Sequence, residues 1–370
     1  MTVPRARLVA VNQAAAEYFT RNLRESEGDG PRAYLSERGL DQALEDPAWT
    51  IGYALREWTG LLDTLRVEGF GDEEVGAAGL AVVSRRNTLI DRFRDRIVFG
   101  LRDSEATLVG FVGRCAPHAS PRTPKYLNSP RTELFDKSSV LFGLAEQRTE
   151  LQRGAIPVVV EGPLDALAVR QLGRRRAAVS PCGARLTSQH ADLLRRASST
   201  DCVVLANDCD EPGREGTRRA YDLLAPNFTR VLAAAFSAGE DPASVAARDH
   251  RLLGQALGEA GPAADLIVDR TVAPYLERLD NAEARVCALH AATRVVACLA
   301  ENDVSRQVVR LSERLDFTTT TVTEDVCDAL NRVSSCPHGR QVLAHPQPVR
   351  LSADAASRHL CPPTSRKELP

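Results

Sequence analysis

Apolar positions recur every three to four residues along 8–25 (LVAVNQAAAEYFTRNLRE). Leu8, Val11, Ala15, Tyr18, Phe19 and Leu23 share one side, and this spacing predicts a helix. Residues 28–31 break it. The run PRAYLSERGL (31–40) restarts with a proline suited to a helix N-terminus and stops at Gly39. Residues 57–80 predict two short helices around Gly69, Phe70 and Gly71. From about 89 the period changes. IVFGL (97–101) and TLVGFVG (107–113) predict two strands joined by a polar turn. Residues 117–137 are rich in Pro, Ser and Thr and predict a loop running past Tyr126, Leu127 and Asn128, with a helix near 139–153.

Strands and helices then alternate. IPVVV (156–160), AAVSP (177–181), DCVVLAN (201–207) and TRVLAAAF (229–236) have β-type composition. Each precedes a helical stretch, at 163–172, 187–197, 213–224 and 242–248. This order predicts a parallel sheet with helices on both faces. Beyond 250 the pattern is helical to about 333. RVCALHAATRVVACLAE (285–301) is amphipathic, and the threonines of 317–333 predict an N-cap before a last helix. Residues 335–370 show no period and predict a poorly ordered tail. The fold class expected is α/β in three parts: a mixed α+β N-terminal subdomain (1–150), a central parallel-sheet domain (151–250) and a small helical bundle (251–334).

At 370 residues there is room for two or three domains, and 43% hydrophobic with 26% charged residues suits a soluble globular protein. No segment approaches the roughly 20 apolar residues of a membrane span. Nine cysteines are scattered without a CxxC or paired zinc spacing, so no zinc site is expected and the chain reads as a reduced, cytoplasmic protein. The net charge of -2 gives no general pull toward nucleic acid. Between Arg85 and Lys137, however, 11 Lys/Arg face 6 Asp/Glu, a local excess of 5 positive charges. That stretch reads as a phosphate-binding surface, or else as a solvated basic face.

The acidic residues give the basic stretch a purpose. Glu161 and Asp165 follow the first strand of the alternating region, Asp208 and Asp210 follow the third, and Asp241 follows the fourth. Carboxylates at the C-terminal ends of neighbouring parallel strands can hold Mg²⁺ or Mn²⁺ against phosphate oxygens. Any one of them could instead cap a helix or close a turn. Asp241 before Pro242 suits a cap.

The blocks EGPLDA (161–166), NDCDEPGREG (207–216) and GEDPA (239–243) resemble the TOPRIM domain shared by primases, topoisomerases and some nucleases. LIDRFRDRIVFGLRD (89–103), LVGFVGRC (108–115) and PKYLNSPRTELFDKSSVLFGL (124–144) resemble the signature of the DnaG-type bacterial primases, and the likeness runs from about 14 to 333. It implies a primase core that joins ribonucleotides into a short RNA primer on single-stranded DNA, using NTPs and two or three divalent ions. Carried over, Glu161 becomes the general base or metal orienter. Asp208 and Asp210 become ion ligands, and Asp165 and Asp241 complete the set. Arg114, Lys125, Tyr126, Asn128 and Lys137 fall on groove positions for template and nucleotide. Arg92 and Arg96, sharing a face with Arg94 along a strand-like run, are candidate phosphate contacts or partners of Asp91 and Asp95. The family usually also has a zinc-ribbon domain and a helicase-docking domain. The likeness covers neither, so a zinc-ribbon protein or a replicative helicase is an expected partner in trans. A nuclease using the same acids, or a weakly active module binding single-stranded DNA, remain the alternatives.

Overall fold

A computed structural model of the chain describes residues 3–116, 120, 122–183, 185–207, 211–237 and 239–334; the side chains of 211–214, 333 and 334 fall outside that description. The described chain divides into two compact units. One comprises residues to 270 together with 299–307, the other 271–298 and the residues from 308 on.

The first unit opens with α1 (Arg5–Arg24), α2 (Asp29–Ser36), α3 (Asp41–Glu45) and β1 (Ile51–Ala54). α1 buries Leu8, Val11, Ala15, Phe19 and Leu23, the stripe expected from its spacing. Gly52 lets β1 meet this helix closely, because a Cβ there would stand 2.5 Å from the Phe19 backbone. Next come α4 (Gly60–Val67), α5 (Asp72–Ala77), β2 (Ala81–Val83), β3 (Leu89–Asp91), β4 (Arg96–Arg102) and β5 (Leu108–Cys115). Phe19, Phe93 and Phe111 pack edge to face beneath β5, with ring centres 5.5–6.4 Å apart.

Tyr126–Asn128, expected as loop, is a strand, β6, paired antiparallel with β5 so that Arg114 lies opposite Tyr126 and Val112 opposite Asn128. The sheet order is β1-β4-β5-β6. β6 satisfies backbone groups along β5 that a loop would leave unpaired. Arg92, Arg94 and Arg96 do not run along one strand: β3 ends at Asp91, β4 begins at Arg96, and Asp95 between them takes a left-handed φ of 50°.

The helix expected over 139–153 is only α6 (Arg148–Gln152). Upstream, the backbone is committed elsewhere. Phe142 and Ser180 exchange both backbone hydrogen bonds at 2.9 and 3.0 Å, and Gln147 Nε2 donates to the Ala178 carbonyl at 2.7 Å. Gly143, at φ 85°, admits that approach, since a Cβ would meet the Ala178 oxygen at 2.5 Å.

The alternating region forms β7 (Ile156–Val159), α7 (Pro163–Arg170), β8 (Arg176–Val179), α8 (Ser188–Ala197), β9 (Cys202–Leu205), α9 (Glu211–Leu224), β10 (Arg230–Ala233), α10 (Pro242–Arg248), α11 (His250–Gly258) and β11 (Gly261–Pro262). The sheet runs β11-β10-β9-β7-β8, parallel except for the antiparallel edge strand β11. α7 packs with α10 and α11, and α8 with α9. The remaining helices are α12 (Ala263–Val272), α13 (Ala282–Val296), α14 (Glu301–Leu315) and α15 (Thr319–Ser334). In the second unit α13 packs on α15, and Thr318 Oγ1 accepts the Thr321 N–H at 3.1 Å as the N-cap expected there. Residues 335–370, expected as a tail, lie outside the described residues.

Candidate active site at the C-terminal edge of the parallel sheet

Parallel strands bring their C-terminal ends to one edge, so residues far apart in sequence meet there. A cavity of about 170 Å³ opens at this edge, walled by Glu161, Gly162 and Asp165 after β7, by Gly183 after β8, and by Asp241, Ala243 and Ser244 at the head of α10. The opposite wall comes from β5 and β6 with the residue before β6, and from the turn after α2: Arg114, Tyr126, Lys125 and Arg38. Acidic and basic groups separated by up to about 200 residues thus line one space. Asp208 and Asp210 lie outside the described residues, as does Cys209. Asn207, just before them, lines the adjoining cavity with Glu161 and Arg185.

The acidic residues differ in their surroundings. Glu161 is exposed, and its backbone carbonyl accepts Ser180 Oγ at 2.8 Å and Gly183 N–H at 3.3 Å. These bonds fix the strand end to the turn after β8. Asp165 is buried, and each carboxylate oxygen accepts a backbone N–H: Oδ2 from Gly162 at 3.1 Å and Oδ1 from Ala243 at 3.1 Å. Gly162 and Pro163 begin α7, so Asp165 closes a capping box and also ties α7 to α10. Asp241 caps α10, with Oδ1 accepting the Ser244 N–H at 2.7 Å and the Ser244 hydroxyl donating to the Asp241 carbonyl at 2.8 Å. Among the described residues no three His, Cys, Asp or Glu side chains converge closely enough to hold a metal ion. The described donors nonetheless suit a hard divalent ion in kind: they are carboxylates, and Glu161 and Asp241 both reach one polar cavity.

On the basic wall, Arg114 Nε donates to Tyr34 Oη at 2.9 Å and Nη1 to Tyr126 Oη at 2.8 Å. Burial opposes the guanidinium charge, but the two tyrosines more than offset it and the Arg114 pKa is raised. Burial also pushes the Tyr126 phenol upward, against the pull of Arg114. Tyr126 lines the cavity with its hydroxyl engaged by Arg114. Its ring has Lys125 on one side, with Nζ 6.0 Å from the ring centre. A Cβ on Gly162 would lie 2.6 Å from Tyr126 Oη, so the glycine is what lets the two walls approach.

The other expected groove residues lie outside this cavity lining. Asn128 Nδ2 donates to the Cys182 carbonyl at 2.9 Å and braces the left-handed turn at Cys182 and Gly183 (φ 54° and 72°). Arg92 donates twice to the Asn128 carbonyl, at 3.1 and 2.8 Å. Arg96 is buried and donates to the carbonyls of Gly113 and Pro124. Lys137 is exposed; its carbonyl accepts from His190 Nε2 at 2.9 Å, the tautomer fixed because Nδ1 accepts the Thr187 N–H. Tyr34 and Arg38 were not expected. Tyr34 lies on α2 and Arg38 in the turn just after it, and their i,i+4 spacing in AYLSERGL is their only local signal.

Two family models match the chain: "DNA primase catalytic core, N-terminal domain" over residues 18–148, and "Toprim-like" over 158–246. The RNA polymerase domain of the Mycobacterium tuberculosis primase DnaG, solved in complex with double-stranded DNA, superposes with a TM-score of 0.72 at 30% identity, covering 85% of this chain and 99% of that one. A DnaG primase catalytic domain bound to single-stranded DNA gives 0.69 at 25% identity, covering 86% and 98%. A DNA primase of Mycolicibacterium smegmatis is 32% identical over 316 residues, spanning 83% of this chain and 48% of that protein. One from Deinococcus radiodurans is 38% identical over 239 residues, spanning 64% and 40%. The chain belongs to the family of DnaG-type primase catalytic cores. It spans about half the length of the curated relatives it matches. Toprim primases are, as a family, metal-dependent. Among the described residues no helix is long and apolar enough to cross a membrane.

Proposed function

We propose that this chain synthesises short RNA primers on single-stranded DNA by metal-dependent nucleotidyl transfer from NTPs, in DNA replication. The observation that carries the reading is the shared cavity, where Glu161 and Asp241 face Arg114 and Lys125. In this reading Glu161 and Asp241, with Asp208 and Asp210, hold Mg²⁺ or Mn²⁺. When bound, such ions neutralise phosphate charge and polarise the reacting oxygens. Asp165 keeps α7 and α10 in place so that Glu161 and Asp241 converge. Arg114 offers the N–H groups of Nη2 to phosphate oxygens, its other two nitrogens being held by Tyr34 and Tyr126, and Lys125 adds a mobile point charge. The primer 3′-oxygen bonds to the α-phosphorus, the bond to the pyrophosphate oxygen breaks, and Glu161 receives the hydroxyl proton.

The test is incorporation of labelled NTPs by the purified chain on a single-stranded oligonucleotide, with Mg²⁺ or Mn²⁺ and after chelation. Ion-dependent primers support the proposal. Strand cleavage instead would make the chain a nuclease, and binding with neither activity would make it a DNA-binding module. Adding a replicative helicase or a zinc-ribbon protein tests whether either partner raises the yield.

A further inference from the structure

We infer that Tyr34 is a positioning residue for phosphate recognition, holding the Arg114 guanidinium in one orientation through its hydroxyl. The inference rests on the reading of the cavity as a phosphate site and deepens it.

The geometry is specific. Tyr34 lies on α2, 80 residues before Arg114, and is 8% exposed. Its Oη accepts Arg114 Nε at 2.9 Å, while Tyr126 Oη accepts Nη1 at 2.8 Å from the neighbouring strand. Two phenols, Tyr34 buried and Tyr126 half-buried, thus occupy two nitrogens of one planar group, and a planar group held at two points cannot turn about its long axis. Nη2 makes no hydrogen bond among the described residues and belongs to a side chain that lines the cavity. The same Tyr34 ring carries Arg38 across its face, with the guanidinium carbon 3.8 Å from the ring centre, and Arg38 lines the cavity too. One tyrosine therefore organises two cations, Arg114 through its oxygen and Arg38 through its ring.

An arginine on a flexible stem loses rotamer freedom when it grips an anion, and holding it beforehand removes that loss from binding. Among the described residues Lys125 Nζ is held by no hydrogen bond and only flanks the Tyr126 ring. The ligand class is a phosphate anion, either the triphosphate of an NTP or the backbone of a DNA strand.

The substitution that isolates the clamp is Tyr34→Phe, which keeps the ring under Arg38 and removes only the hydroxyl. Binding of an NTP mixture and of a 12-nucleotide oligo-dT would be measured separately by fluorescence anisotropy or calorimetry. Tyr34→Phe is expected to weaken one or both by about tenfold, the scale of one charged hydrogen bond. Whichever probe is affected identifies the source of the phosphate. The salt slope of oligonucleotide binding should stay at the wild-type value, because no charge is lost, whereas Arg114→Ala should make it shallower. On an Arg114→Ala background, Tyr34→Phe should change nothing further. Wild-type affinity in Tyr34→Phe, or an equal loss with and without Arg114, would overturn the clamp. A loss of thermal stability that accounted for the weakened binding would also overturn it. If Arg114→Ala itself left both affinities intact, the phosphate reading of the cavity would fall and the clamp with it. If binding behaves as expected but no primer forms, only the synthetic activity is refuted.

Discussion

Asp165 on α7 accepts the backbone N–H of Ala243, 78 residues later at the head of α10, at 3.1 Å, while its other oxygen accepts the N–H of Gly162. The carboxylate is buried, so removing it leaves two helix-end donors without that partner. Asp165→Ala is expected to lower unfolding free energy by about 2–4 kcal/mol, combining a lost cap with a lost charged hydrogen bond. Chemical denaturation measures it. Stability within about 0.5 kcal/mol of wild type would show that the tie between α7 and α10 is dispensable.

Glu161 is the contrasting acid. It is exposed at the strand end, and its backbone carbonyl accepts from Ser180 and Gly183, bonds that an isosteric Gln leaves intact. Glu161→Gln should therefore leave the denaturation midpoint and DNA affinity close to wild type. Primer synthesis should fall at least about 100-fold, the scale of losing a general base. Full primer yield from this variant would remove Glu161 from the reaction.

Much of this was legible in the sequence because the alternation of strands and helices is strong and because parallel order places acids at a common edge. Glu161 and Asp241 line one cavity for that reason. The cap that Asp241 makes with Ser244 was also readable from Pro242. What could not be read depends on tertiary neighbours. Nothing local shows that the Asp165 oxygens accept backbone amides from two helices. Charge counting places Arg92 and Arg96 in a basic patch, yet carbonyls of Asn128, Gly113 and Pro124 hold their guanidinium groups. The strand at 126–128 is three residues long, too short for a period to show, and it exists because β5 offers it a partner. Tyr34 meets Arg114 only through the folding of α2 onto the sheet, which no spacing records.

Gly162 tests how tightly the two walls of the cavity are joined. Its φ of -133° suits any residue, so backbone strain is not at issue. A Cβ, however, would stand 2.6 Å from Tyr126 Oη and 3.1 Å from Cζ. Gly162→Ala is expected to destabilise the fold by about 1–3 kcal/mol through overpacking. Tyr126→Phe removes the nearest atom, so the double variant should recover part of that loss. A thermodynamic cycle from four denaturation curves gives the coupling, and strict additivity would mean that the clash relaxes elsewhere.

Glu146 supplies a pH-dependent prediction away from the reaction. Its side chain is 2% exposed, Oε2 has no hydrogen-bond partner among the described residues, and the nearest cation is Arg102 at 3.8 Å. Burial above all pushes its pKa up to about 7, with Arg102 and nearby backbone N–H groups only partly opposing. The folded state therefore keeps its proton at pH values where the unfolded chain has lost it. By linkage, this group's contribution is full below the ordinary carboxylate range and declines as pH rises from about 4.5 to about 7. Glu146→Gln removes the titration. Its stability should match wild type near pH 4.5 and exceed it above pH 7 by about 3 kcal/mol, the size of the rise from the ordinary carboxylate value to about 7. Denaturation curves at pH 4.5, 6 and 8 for both proteins decide the matter. A constant difference across that range would show that Glu146 ionises no differently in the folded and unfolded chain.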